Sequence, residues 1–341
     1  MAAKIEDVAR QAGVSIATVS RVLANKPHVS AKTRQQVLDA VDALGYRPSR
    51  AARSLRSKQT KTLGLIISDI QNPFFIAIVR AVEDVAYQYD YTVVLCNSDE
   101  DPAKEALYVE LMVAENMAGV IISPTAKAGV ACRQLFEAAI PVVAVDRKLT
   151  GLPVDSVIVD NAAASYQVIT HLIEAGHTRI GAILGTPDVS TGSERQQGYL
   201  NALTEHGLPV VAELLRCGVP KTETGYQLTN ELLALPDPPT ALFTGNNLLT
   251  VGALRAIHER GLRMPDDVAL VAFDEMEWMF VMNPPLTVVA QPTYAMGQKA
   301  AELLLARIQD SARPIEEITM MATVDYRGSS LAPRLAASHA V

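Results

Sequence analysis

Cysteine is scarce. The 341 residues contain three, Cys96, Cys132 and Cys217, far apart and never in a C-x-x-C pair. That argues against a disulfide framework and against a cysteine-based zinc site, and no metal ligand set is expected. A reducing, cytoplasmic setting follows. Long apolar runs are also missing. None approaches the roughly eighteen residues of a membrane span, and the first residues, MAAKIEDVARQAG, lack the apolar stretch of a signal peptide. No membrane partner is expected. The catalytic signatures of α/β enzymes are absent too. There is no Walker loop, no G-x-G-x-x-G after the first apolar run and no G-x-S-x-G elbow. His28, His171, His177, His206 and His258 have no partnered nucleophile nearby. No catalytic residue, cofactor or enzyme activity is assigned.

What the chain does have is an uneven charge. The net formal charge is −7, yet residues 1–61 hold twelve basic residues against four acidic ones. The remainder holds 18 basic and 33 acidic residues. A small basic head on a large acidic body suits a polyanion-binding module attached to a globular carrier.

Apolar spacing predicts three helices in that head. Ile5, Val8, Ala9 and Ala12 share one face of a helix over about 4–12, and Gly13 breaks it. Ser15 is placed to cap a second helix over about 16–24. Ser30 is placed to cap a third over about 31–44, with Val37, Leu38, Val41 and Leu44 facing inward. A first pair of helices joined by a tight turn has the spacing of a helix-turn-helix, whose second helix enters the major groove. Ile16, Ala17 and Arg21 then face outward. Arg21 can make a bidentate contact to guanine, and Ile16 and Ala17 an apolar one to a thymine methyl. Thr18, Ser20 and Asn25 are candidate phosphate contacts. An ordinary αα-hairpin would have the same spacing. The following segment, YRPSRAARSLRSKQTK, is arginine-rich with almost no apolar face, and reads as a linker that needs support to fold.

From Thr62 the texture changes. The runs LGLII, YTVVLC, GVIIS, PVVAV, RIGAIL, TALFTG and DVALVAF alternate with amphipathic stretches near 75–89, 103–117, 162–175, 193–206, 223–235 and 247–261. Such runs suit parallel strands buried on both faces, so the class is α/β. The length favours two Rossmann-like lobes divided near Asp160–Asn161, with strand-like segments 286–291 and 317–326 crossing back between them.

The head IEDVARQAGVSIATVSRVLANKPHVSAKTRQQVLDAVDALGYRPSRAARSLRSKQT closely resembles that of the lactose-repressor (LacI/GalR) family of transcription regulators. TLGLIISDIQNPFF, PVVAVDR, GHTRIGAILG, TALFTGNNLLTVGALRA, VALVAFDEM and NPPLTVVAQP follow in that family's order and spacing. The resemblance implies a helix-turn-helix head (1–46), a hinge helix or linker (47–61) and a two-lobed body like a periplasmic binding protein. One lobe would comprise 62–161 with about 292–322, the other 162–291 with about 323–341. It implies that the hinge folds on DNA and wedges Leu55, with Ala52 beside it, into the minor groove. Arg53 and Arg56 would lie near phosphates.

The body resembles ribose-type sugar-binding proteins, which close two lobes over a ligand at the carboxyl ends of the strands. By that resemblance Asn72, Phe74, Phe75, Asp146, Arg147, Arg195, Asn246, Asp274 and Gln291 contact a monosaccharide or sugar-acid effector. The phenyl rings would cover the sugar's apolar face and the polar groups would meet its hydroxyls. Helix capping is the competing role for Asn246 and Asp274, and lobe core for one phenylalanine. The family reading makes the chain a homodimeric repressor on a palindromic operator, released by its effector. A nucleobase corepressor or a protein partner is the alternative, and a stand-alone sugar-binding protein a more remote one. The tail after Arg327 has no leucine heptads, so no coiled-coil tetramer is expected.

Overall fold

The computed structural model describes residues 3–23, 27, 29–46 and 60–331. The chain divides into two compact units, Met1–Thr60 and Lys61–Val341.

The first unit holds α1 (Ile5–Ala12), α2 (Ile16–Leu23) and α3 (Ala31–Leu44). Gly13 ends α1 and Gly45 ends α3 in the left-handed conformation, at φ 65° and 57°, where a Cβ would be strained. At the other ends, the Thr18 N–H donates to Ser15 Oγ (3.2 Å) and the Thr33 N–H to Ser30 Oγ (3.1 Å). Each hydroxyl satisfies an amide that the first helical turn leaves unpaired. Val8, Ala9, Val19, Val22, Val37 and Ala40 form the buried core. Leu38 is not part of it. It is 40% exposed, and the inward stripe of α3 runs through Val37, Ala40, Val41 and Leu44, the i, i+3, i+4, i+7 spacing of one helical face.

The second unit contains two six-stranded sheets. The first has the strands β1 (Thr62–Ile67), β2 (Thr92–Asn97), β3 (Gly119–Ile122), β4 (Val142–Val145), β5 (Asp155–Val159) and β11 (Glu317–Met320). Their order is β11-β5-β4-β3-β1-β2, all parallel. The second has β6 (Ile180–Leu184), β7 (Leu215–Cys217), β8 (Ala241–Thr244), β9 (Ala269–Phe273), β10 (Thr287–Ala290) and β12 (Thr323–Asp325). Its order is β12-β10-β9-β8-β6-β7, parallel except where β12 joins β10. The two orders correspond strand for strand, so the lobes repeat one plan.

The helices between them are α4 (Pro73–Gln88), α5 (Pro102–Ala114), α6 (Ala128–Glu137), α7 (Asn161–Glu174), α8 (Ser190–Glu205), α9 (Thr222–Leu233), α10 (Asn247–Glu259), the short α11 (Glu277–Phe280) and α12 (Thr293–Gln309). The chain passes between lobes three times, near Asp160, Gln291 and Met321. Helix α12 returns to the first lobe, where Leu303, Leu304 and Leu305 join Leu65, Ile67 and Phe75 in one core. Gly297 lets it lie against α4, since a Cβ there would stand 2.6 Å from the Ile78 carbonyl oxygen. β5, α6 and α12 are not among the alternating segments read from the sequence. β5 is short and begins with two polar residues. The apolar positions of α12 are interspersed with Gln298, Lys299 and Glu302.

Candidate DNA-reading head and effector cleft

On α2, Val19 and Val22 are buried while Ile16, Ala17 and Arg21 are exposed. The outer face therefore carries one guanidinium fork and two apolar groups. Thr18 is tied to its own cap, its hydroxyl 2.9 Å from Ser15 Oγ. Ser20 is half-buried. Asn25, Ala52, Arg53, Leu55 and Arg56 lie outside the described residues, as does nearly all of the expected hinge.

In the second unit, one cleft is lined by all nine residues expected to meet the effector. As it stands the cleft is narrow, with a cavity volume of only about 40 Å³. Each sheet reverses strand order where β1 meets β3 and where β6 meets β8, the place at which open α/β sheets bind ligands. Asn72 follows β1, and Gly245 and Asn246 follow β8.

Two aspartates occupy equivalent positions, Asp146 after β4 and Asp274 after β9. Both have positive φ, 70° and 73°. The Asp146 N–H donates to the Val157 carbonyl and the Asp274 N–H to that of Val289, each at 2.9 Å. Side-chain-bearing residues in this region concentrate at functional sites. Both carboxylates are buried. Burial pushes Asp146 up to about 6, with Arg147 and Arg195 opposing and Asp274 and Glu100 adding to the rise. Burial raises Asp274 as well, against the pull of Arg195 and Gln291.

Arg195, on α8, is also buried. Its Nε donates to Asn161 Oδ1 (2.9 Å), its Nη1 to the Gly245 carbonyl, and its Cζ stands 3.6 Å from the centre of the Phe273 ring. Burial lowers its pKa despite Asp274 and Asp146. Arg147 is committed differently. Nη1 and Nη2 grip both oxygens of Glu100 at 2.8 and 2.6 Å, and Nη1 also donates to the Pro124 carbonyl. Burial works against this guanidinium, but Glu100 outweighs it.

The amides divide their work between folding and the cleft. Asn72 Oδ1 caps α4 through the Phe74 N–H (3.1 Å) and accepts from Asn247 Nδ2 of the other lobe (3.2 Å). Asn246 Oδ1 caps α10 through the Leu249 N–H (2.9 Å), and the residue also lines the cleft. Gln291, at an inter-lobe crossing, donates to Asp274 Oδ1 (2.5 Å). Phe74 and Phe75 meet edge to face at 5.0 Å, and both belong to the first lobe's core while lining the cleft. Sequence reasoning missed Asp69, Glu100 and Pro220, which also line it. Pairings such as Arg147 with Glu100 join residues 47 positions apart and leave no local pattern. Among the described residues, no group of histidines, cysteines and carboxylates could hold a metal ion, and no helix is long and apolar enough to cross a membrane.

A helix-turn-helix head followed by two repeated α/β lobes around a polar cleft defines a ligand-responsive DNA-binding regulator. Residues 4–49 match the family described as bacterial regulatory proteins, lacI family. Residues 60–326 match the family of periplasmic binding proteins and sugar binding domain of LacI family. The HTH-type transcriptional repressor PurR of Mannheimia succiniciproducens is 35% identical over 320 residues, covering 93% of this chain and 96% of that one. The solved transcriptional regulator CelR–cellobiose complex is 31% identical, with a TM-score of 0.73, over 96% of this chain and 99% of that chain. The Lac repressor dimer bound to operator and the anti-inducer ONPF is 29% identical with a TM-score of 0.81, over 97% and 100%. The chain belongs to the LacI family. It is a DNA-binding transcriptional regulator, not an enzyme, and it answers to a small-molecule effector.

Proposed function

We propose that this protein is a cytoplasmic repressor that binds a palindromic operator as a homodimer and is released when a neutral monosaccharide occupies its cleft. Exposed Ile16, Ala17 and Arg21 on α2 read the major groove, with Thr18 and Ser20 beside the phosphates. The observation that carries the effector reading is that two buried aspartates, Asp146 and Asp274, line the same cleft as the buried Arg195. These groups present acceptors and donors to a ring of hydroxyls, while Phe74 and Phe75 offer an apolar wall.

Charge favours a neutral ring over a sugar acid. The Glu100 carboxylate already neutralises Arg147. Arg195 is then opposed by both Asp146 and Asp274. A carboxylate or phosphate entering the cleft would meet two buried anions with one cation to offset them.

A thermal-shift panel of neutral sugars, sugar acids and purines tests the reading. A neutral sugar is expected to raise Tm, and gel shifts should show the same sugar weakening operator binding. Titration calorimetry of Arg195→Ala with that sugar should lose at least about 1.5 kcal/mol, the size of a charge-assisted hydrogen bond. Stabilisation by a purine or sugar acid alone would refute the ligand class. Tighter operator binding with ligand would make it a corepressor.

A further inference from the structure

The cleft has a second ionic feature, at its mouth rather than its floor. Lys221 precedes α9 in the second lobe and immediately follows Pro220, which lines the cleft. Its ammonium spans to two carboxylates of the first lobe, Asp69 Oδ2 at 2.6 Å and Asp99 Oδ1 at 2.5 Å. The three groups step from interior to solvent: side-chain exposure is 4% at Asp69, 30% at Lys221 and 42% at Asp99. Burial opposes the ammonium, yet the hydrogen bonds to Asp69 and Asp99 hold Lys221 above its ordinary pKa. The hydrogen bond from Lys221 holds Asp99 below the usual carboxylate range.

The carboxylates sit on loops that also build the cleft. Asp69 Oδ1 accepts from the Gln71 N–H (2.8 Å), and its carbonyl accepts from the N–H of Asn72, a cleft residue. Asp99 and Glu100 are consecutive, and both hold positive φ, 57° and 61°. This turn directs Asp99 to Lys221 and Glu100 to Arg147, so one strained dipeptide serves both the mouth and the floor.

We propose that Lys221, Asp69 and Asp99 form a latch that ties the lobes together across the cleft mouth, opens to admit the effector, and limits that effector to about one sugar ring. The size limit rests on the sugar reading above; the latch itself does not. Opening breaks the two charge-assisted hydrogen bonds at this one ammonium together with the neutral Asn72–Asn247 bond and the Lys148 N–H to Ser190 Oγ bond (3.0 Å), while the Arg147–Glu100 pair stays within the first lobe. Reclosure behind a single ring is possible, but a second ring projecting through the mouth would occupy the position of the ammonium.

Hydrogen–deuterium exchange on the ligand-free full chain tests the latch. Lys221→Ala is expected to speed exchange at least fivefold in the loops at 68–72 and 98–101 and at the cleft segments 185–192 and 245–249. Lys221→Arg should retain most of the protection. Melting of both variants within a few degrees of the parent keeps the comparison free of global unfolding, and Asp99→Asn, on the exposed side, should repeat the alanine result in weaker form. Unchanged exchange in Lys221→Ala would overturn the latch whatever the ligand. Calorimetry with D-ribose, D-glucose, D-galactose, cellobiose and maltose tests the size limit. The parent should take a monosaccharide and refuse both disaccharides, and Lys221→Ala should bind that monosaccharide about tenfold more weakly and admit a disaccharide. A parent that binds cellobiose or maltose overturns the limit. Faster exchange with no sugar bound by either protein rejects the sugar reading and the limit while leaving the latch.

Discussion

Asp146 is a buried carboxyl in the cleft, and its titration has a direct consequence for stability. Its carboxyl rises to about 6 in the folded chain from an ordinary 3.8, chiefly through burial. The folded state therefore holds this proton more tightly than the unfolded state does. The associated stability is fully present below about pH 4 and is lost as pH climbs through about 6. Asp146→Asn cannot ionise, so the stability gap between variant and parent should shift in the variant's favour by an order of 2 kcal/mol between pH 4 and 7. Urea titrations of both proteins across that range measure it. A gap that does not change with pH would show that the neighbouring Arg147 and Arg195 cancel the burial cost. The same pair of arginines shows why residue type alone gives an incomplete account of a site. Both were legible as cleft residues, but only the structure shows that Arg147 is held by Glu100 while Arg195 is braced by Asn161, Gly245 and Phe273. A Lys at 195 could not reproduce two directed donors and a stacked plane together.

At the scale of elements, the sequence conveys what repeats locally and conceals what depends on distance. Helical spacing and the capping residues Ser15, Gly13, Ser30 and Gly45 locate the head's helices to within a residue or so. The miss at Leu38 arises because two adjacent positions, 37 and 38, are both apolar, and only packing against α1 and α2 decides which turns inward. Strand β5 is concealed for another reason. Asp155 opens it, and a buried acid argues against a strand until its partner is seen. That partner is Arg307 on α12, 152 residues later, which meets Asp155 with Nε and Nη2 at 2.9 and 2.8 Å. The Glu316 N–H adds a third bond at 2.8 Å, so one carboxylate ties β5, α12 and the approach to β11 together. Arg307→Ala would leave Asp155 buried and unpaired, at a cost of about 3–5 kcal/mol. Chemical denaturation should show that loss. Asp155→Asn in the same background should recover part of it, because the remaining group is then neutral.

The whole molecule is a basic reader joined to an acidic sensor, and the asymmetry is larger than the net charge suggests. Operator affinity should fall steeply with salt, since each phosphate neutralised by the head releases counterions. A palindromic site calls for two heads, and sedimentation of the full chain should give a dimer that does not assemble further. A stable tetramer would overturn that expectation. The effector can shift operator binding only by its unequal affinity for the open and closed arrangements of the lobes. A latch that favours the closed arrangement takes part of that free-energy difference on itself, so weakening it would change how strongly the ligand acts as well as how tightly it binds.

The three passages between lobes also set the order in which the body can be completed during synthesis. By Ala290 a ribosome has made five of the six strands of the second lobe, lacking only the edge strand β12. The first lobe, although begun a hundred residues earlier, still lacks β11 and the whole of α12, with Leu303 and Leu304 of its core. The lobe that starts first therefore waits longest for its core, and both sheets gain their last strands only at 317–325. Until residue 320 emerges, its sheet presents an unpaired edge at β5 and an uncovered apolar face, and the nascent chain is most vulnerable to aggregation and proteolysis on the side nearest the DNA-reading head in sequence.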